Sequence, residues 1–249
     1  MNKWFVVLTV IALASVGVLP CASGVASAQS TPEATGSSAP SLPAGFPLAR
    51  GAYWVYEGTV KWTKDTDVIE ETVTWKVEVM DLVQREHVTG FLVKGDVTDL
   101  AWYEAGAKPE NHVIIQVGAD KTYTATEDAL TRLKDDQDAL VDLVNDAALM
   151  LDMPLFKDKV FGDTQQITRP DRMYAWWVAD EQPADLSGIK GAPAGLQGPK
   201  YVLSLITTAD NQTLEFVPGL GITHYTYVHN GTTAEADVQL VEFHPGTPS

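Results

Sequence analysis

Over residues 53–63 bulky and polar side chains alternate. Trp54, Tyr56, Gly58, Val60 and Trp62 fall on one side; Glu57, Thr59, Lys61 and Thr63 fall on the other, with Tyr53 and Val55 at its start. After the polar turn Lys64-Asp65-Thr66-Asp67 the rhythm resumes, Val73, Trp75, Val77 and Val79 alternating with Thr72, Thr74, Lys76 and Glu78. Successive strand residues point to opposite faces, so a two-residue period describes a sheet packed on one face and wet on the other. The short polar turn makes the pair a hairpin.

Further strands are predicted over 88–97, 112–117, 121–126 and 173–179, the second and third joined across Gly118-Ala119-Asp120. A meander follows over 200–208, 213–217, 222–228 and 234–243. Its turns carry Asp210-Asn211, Pro218-Gly219 and Asn230-Gly231, residues that reverse a chain or tolerate positive φ. Residues 127–151 break the pattern and read as helix. Thr126 can cap it, Glu127 and Asp128 suit its first turn, and Leu133, Leu140, Val144, Ala147, Ala148 and Leu151 lie near one stripe. Lys134-Asp135-Asp136-Gln137 interrupts the stripe, which allows two helices, and Pro154 ends it. Residues 182–199 form a Gly/Pro-rich loop long enough to suggest a function of its own. The fold expected is mainly β (α+β): a strongly curved antiparallel sheet or half-barrel of roughly eight to ten strands, with one helical segment packed on it.

The first 28 residues read as a signal peptide. Lys3 supplies the positive end, residues 4–19 an uncharged apolar run, and Ala26-Ser27-Ala28 a cleavage site. That run of 16 residues is shorter than the roughly 20 needed to span a bilayer. Cleavage after Ala28 is the favoured outcome. Lipidation at Cys21 is an alternative, opposed by Pro20 where a small residue is wanted, and an uncleaved anchor through Ala28 is another. All three place the remainder outside the cytoplasm, as an exported protein, secreted or in the cell envelope. Residues 29–45 are rich in Ser, Thr, Pro, Ala and Gly with Leu42 the one large apolar residue, and read as a disordered linker. Residues 46–249 then form a single β-rich domain.

Cys21 is the only cysteine, so a cut after Ala28 excludes disulfides, a cysteine nucleophile and thiolate metal ligands. The net charge of −16 becomes −17 once Lys3 is lost, and a field of that sign repels nucleic acid and anionic headgroups. Membrane contact is expected only through the leader or a lipid anchor.

Candidate chemistry is sparse. The chain has no zinc-protease, nucleophile-elbow, phosphate-loop, dinucleotide or EF-hand motif. His87, His112, His224, His229 and His244 form no recognised metal pair, and Asp135, Asp136 and Asp138 read more readily as a solvated helix face than as a Ca²⁺ site. Glu70 and Glu71, adjacent on a strand, point apart. No cofactor or metal is expected, and the balance leans away from an enzyme. The informative set is aromatic: Trp54, Tyr56, Trp62 and Trp75 on one face, and adjacent Trp176 and Trp177, of which one must face away from the core. They read either as cross-strand pairs of a core or as the concave lining of a site for an apolar ligand.

Two motifs carry a resemblance. Phe46-Pro47-Leu48-Ala49-Arg50-Gly51-Ala52-Tyr53-Trp54-Val55-Tyr56 resembles the opening FPL-x-x-G-x-x-W-x-Y of a group of uncharacterised bacterial exported proteins and lipoproteins. Phe216-Val217-Pro218-Gly219-Leu220-Gly221-Ile222, followed by Leu240, is similar to their closing PG-x-G hairpin. With Met173-Tyr174-Ala175-Trp176-Trp177-Val178 the resemblance spans most of the domain. It implies a curved antiparallel sheet with helix packed on it, loosely similar to lipoprotein-carrier half-barrels, and brings no catalytic residues.

Three functions fit these observations. The favoured one is a non-catalytic binding module for an apolar small molecule or an envelope protein partner. The others are an extracytoplasmic hydrolase using dispersed acidic residues, and a structural or assembly protein with no ligand pocket.

Overall fold

The computed structural model describes residues 45–145 and 147–247; the leader, Cys21 and the linker up to residue 44 lie outside the described residues. The strands are β1 (Arg50–Lys64), β2 (Asp67–Arg85), β3 (Val88–Lys94), β4 (Asn111–Val117), β5 (Lys121–Ala125), β6 (Ala148–Asp152), β7 (Val160–Phe161), β8 (Trp176–Pro183), β9 (Pro199–Ile206), β10 (Asp210–Val217), β11 (Gly221–His229) and β12 (Ala234–Thr247). Among the described residues, one α-helix, α1 (Glu127–Lys134), and a 3₁₀ helix (Val97–Trp102) complete them.

All 12 strands join one antiparallel sheet in the order β6-β5-β4-β3-β2-β1-β12-β11-β10-β9-β8-β7, curled into a nearly closed barrel. Except for β6 and β7 at the two ends of the sheet, each strand pairs with its neighbours in sequence, and β1 and β12 pair in the middle. Arg50 lies opposite Thr247, and Trp62 opposite Ala234. The sheet is the antiparallel, strongly curved one that the alternation predicts. Its opening lies between β6 and β7, where residues 153–159 cross. There the Lys159 ammonium donates to the Asp152 carbonyl and, at 3.0 Å, to that of Pro154.

The two-residue period holds where one face is buried. Trp54, Tyr56, Val73, Trp75, Val77 and Val79 all point into the main core. On β4 both faces are buried. Ile114 faces the barrel interior, while Val113 and Ile115 meet Ala129, Leu130 and Leu133 of α1 in a second core outside it. That is why β4 reads as an unbroken apolar run.

The helix predicted over 127–151 ends at Lys134. Beyond it, Asp135 and Asp138 accept bonds from the backbone N–H groups of Gln137 (3.0 Å) and Leu140 (2.7 Å), turning the chain locally instead of continuing the helix. Arg132 grips the Asp138 carboxylate at 2.8 Å, and Arg85 donates to the Asp135 carbonyl at 2.6 Å. Residues 148–152 leave the stripe altogether and pair with β5 as β6. The strand predicted over 88–97 likewise stops at Lys94, and that predicted over 173–179 begins only at Trp176.

The 3₁₀ helix fills the barrel. Asp96 accepts from the Thr98 N–H at 2.8 Å while Asp99 accepts from the Asp96 N–H at 3.0 Å, a reciprocal cap. Val97 and Leu100 are buried against β1, β11 and β12. His112 at the start of β4 bonds the Asp99 carboxylate through Nε2 at 3.0 Å, tying this plug to the wall. That bond, reinforced by the charges of Asp99, Asp96 and Glu110, outweighs burial and raises the His112 pKa. A folded pKa above the unfolded value stabilises the fold fully below about pH 6.5 and less as pH rises through the folded value. Urea unfolding is therefore expected to give a midpoint that declines as pH is raised from 6, a decline that His112→Gln flattens.

The two motifs of the resemblance meet at one end of the barrel. The Gly219 N–H donates to the Gly45 carbonyl at 3.1 Å, and the Phe46 ring stands edge-on to Trp54 at 5.4 Å and 5.9 Å from Phe216. Gly221 has φ +104, and a Cβ there would lie 3.0 Å from Trp54 Nε1, so no larger residue fits the hairpin. These motifs hold the sheet together.

Candidate functional site

The six aromatic residues singled out in the sequence separate into three places. Trp54, Tyr56 and Trp75 are 0%, 2% and 4% exposed, inside the barrel. β11 pairs with β12 only from His224 to Val228, so its earlier carbonyls need other donors. Trp54 Nε1 donates to the Leu220 carbonyl at 2.6 Å and the Tyr56 hydroxyl to the Ile222 carbonyl at 3.0 Å. Trp75 Nε1 donates to the Asp96 carbonyl at 2.9 Å, holding the plug. Burial pushes the Tyr56 hydroxyl well above its ordinary pKa. Beside these rings a cavity lined by Phe46, Val77, Ile114 and Met150 has a volume of about 20 Å³. A water fits in roughly 10–15 Å³, whereas ligand pockets run to about 300 Å³ or more.

Trp62 lies at the end of the barrel formed by the β1–β2, β9–β10 and β11–β12 turns. Its ring meets Tyr103 edge-on at 5.3 Å. Next to Tyr103, Trp102 leans on His229 at 4.8 Å and Tyr227 at 6.0 Å, yet is 58% exposed. The hydroxyls beneath are held by acids: Tyr227 donates to Asp210 at 2.5 Å and Tyr103 to Glu71 at 3.3 Å. Desolvation, then the adjoining carboxylate, pushes the Tyr227 hydroxyl well above its usual range. Val68 and Val228 add exposed apolar surface to the wall near this mouth. Trp102 belongs to no alternating run, so periodicity gives no reason to select it; the adjacent aromatic pair Trp102-Tyr103 is the available signal.

Trp176 and Trp177 start β8. Trp176 packs on the main core, while Trp177 turns outward beneath the Arg172 guanidinium, 4.5 Å from its ring. They are apart from the mouth in sequence and share no ring contact with Trp62.

A polar cleft of about 700 Å³ lies near the opposite end, between β9–β12 and the loop at 184–198. It exists because β11 and β12 part beyond the His224–Gln239 pair. The loop partly replaces the missing strand: the Lys190 N–H donates to the Val241 carbonyl at 2.9 Å, and the Lys190 carbonyl accepts from the Phe243 N–H at 2.8 Å. In the cleft, Lys200 binds Glu215 at 2.8 Å, and His224 meets Asp237 through Nε2 at 2.7 Å and Glu215 through Nδ1 at 3.9 Å. Lys200, Glu215, His224 and Asp237 are thus engaged with one another, while Asp185 on the same lining accepts from the Ser187 N–H at 3.0 Å. Asp138, offered by sequence as a Ca²⁺ ligand, is similarly engaged by Arg132, which lowers its pKa.

No protein-family model matches the chain. Nor does any curated protein. Among solved structures, the chain is similar to a protein from Bacteroides fragilis described as a predicted exported protein with a YmcC-like fold. The match has 12% identity and a TM-score of 0.36, and covers 80% of this chain and 98% of that one. It is also similar to a predicted lipoprotein from Parabacteroides distasonis, at 11% identity and a TM-score of 0.34, covering 80% of this chain and 97% of that one.

Proposed function

We propose that the chain is an exported, non-catalytic binding module that meets a protein partner on the outside of a solid barrel. The observation that carries this reading is the interior. Trp54, Tyr56 and Trp75 are buried with their polar atoms satisfied, the 3₁₀ helix occupies the lumen, and the neighbouring cavity of about 20 Å³ is too small for a lipid or other small-molecule ligand. A lumen built this way favours the partner-protein form of a binding module over a carrier. Trp62 at the mouth, and Trp177 on β8, remain the members of the aromatic set within reach of a partner.

Native mass spectrometry of the purified mature protein tests this. The expected mass is that of the polypeptide alone, beginning at Gln29. A stoichiometric small-molecule adduct would sink the proposal, and a lipid-modified mass beginning at Cys21 would replace cleavage after Ala28 with lipid anchoring.

A further inference from the structure

We propose that the mouth around Trp102 docks a cationic segment of a partner protein, seating a lysine or arginine side chain on the exposed Trp102 indole. This rests on the reading of the domain as a partner-binding module and gives that partner its chemistry.

The first support is the placement of Trp102. Its ring is braced by His229 at 4.8 Å and Tyr227 at 6.0 Å, while 58% of the residue stays open to solvent. A braced, exposed indole attracts a cation through its ring quadrupole and loses little freedom on binding.

The second is charge. Glu71 and Asp210 stand behind the aromatic rings, each accepting a tyrosine hydroxyl. On the adjoining wall Lys61 lies between Glu70 at 3.5 Å and Glu235 at 3.4 Å, so two acids share one lysine. Lys64, at the turn, is outnumbered by Asp65 and Asp67. Tyr174 bonds Thr208 of the β9–β10 turn at 3.1 Å, and Arg169, over its ring at 5.5 Å, is matched by Asp171 at 2.7 Å and adds no net charge. The mouth is negative on balance, as is the chain at −16. A second copy would bring the same acids against these, and anionic headgroups would be repelled; a basic segment is attracted.

The third is the apolar wall. On the outer face of the same rim, opposite to the inward Tyr227 that Trp102 leans on, Val68 and Val228 are 59% and 44% exposed, surface that aliphatic side chains of a segment crossing the rim would cover.

Fluorescence anisotropy with labelled synthetic peptides tests the inference on the mature protein. A peptide of alternating lysine and leucine is expected to bind saturably, and one of alternating glutamate and leucine is not. Trp102→Ala, an exposed change confirmed as folded by circular dichroism, is expected to weaken binding about tenfold. The double variant Glu70→Gln, Glu235→Gln is expected to weaken it too, while Asp185→Asn in the distant cleft leaves it unchanged. Equal affinity in Trp102→Ala, equal binding of the glutamate peptide, or an equal loss from Asp185→Asn would overturn the proposal. So would a concentration-dependent dimer abolished by Trp102→Ala, or binding to phosphatidylglycerol vesicles. A small-molecule adduct in the native mass spectrum would count against the solid-barrel reading instead, so the two failures are told apart.

Discussion

Trp54→Ala is expected to cost about 4 kcal/mol of folding stability, read as a lowered urea midpoint. The residue is fully buried, with Phe46 edge-on to its ring at 5.4 Å and Phe243 tilted against it at 5.6 Å, so truncation leaves a void in the core. It also strands the Leu220 carbonyl, which receives the indole N–H at 2.6 Å, and an unmade bond in a dry interior costs about 1–3 kcal/mol. Trp54→Phe separates the two effects, because it restores most of the ring while leaving the carbonyl bare. Its midpoint should fall between those of wild type and Trp54→Ala. Trp102→Ala at the open mouth should move the midpoint by only about 0.5 kcal/mol. If Trp54→Ala proved as mild as Trp102→Ala, the packed interior, and the function drawn from it, would fail together.

Gly58→Ala is expected to be nearly as damaging, at about 3 kcal/mol, although it adds a single methyl group. A Cβ at that position would lie 2.1 Å from the Asp237 carbonyl oxygen and 2.6 Å from the Val238 Cα. These are backbone atoms of β12 and cannot rotate aside; the strand itself must shift. Gly58 is paired with Val238 on one side and Val73 on the other, so the displacement falls on the central pairing of the sheet. Thermal unfolding followed by circular dichroism should show a clear drop in Tm. An unchanged Tm would mean that β1 and β12 are not in this register.

In the sequence, Gly58 looks like an ordinary member of the inward-facing set with Trp54, Tyr56 and Trp62. Alternation reports which face a residue takes; it carries no information on how close the next strand comes. The same boundary separates what was legible from what was not. β1, β2 and the meander from β9 to β12 were readable because each has one dry and one wet face. β6 was not, since Ala-Leu-Met-Leu-Asp fits the end of a helical stripe as well as a strand, and only its pairing with β5 decides. β7, two residues long, has no period at all. At the candidate site, Trp62 was visible through its strand, while Trp102 was not, because its importance comes from Tyr227 and His229, more than 120 residues away in the chain. The polar cleft was hidden for a related reason: Lys200, Glu215, His224 and Asp237 come from four strands.

The mid-sheet pairing of β1 with β12 governs the order of assembly. β1 can zip to β2 at once, but its other edge stays bare until residues 234–247 arrive. Contacts of such long sequence separation must close a large loop before they return any free energy, which places folding toward the slow, millisecond-to-second regime. Until then β1 and β11 both present unsatisfied backbone to any other strand. A nascent chain of this topology leaves both of these edges open until residues 234–247 have emerged.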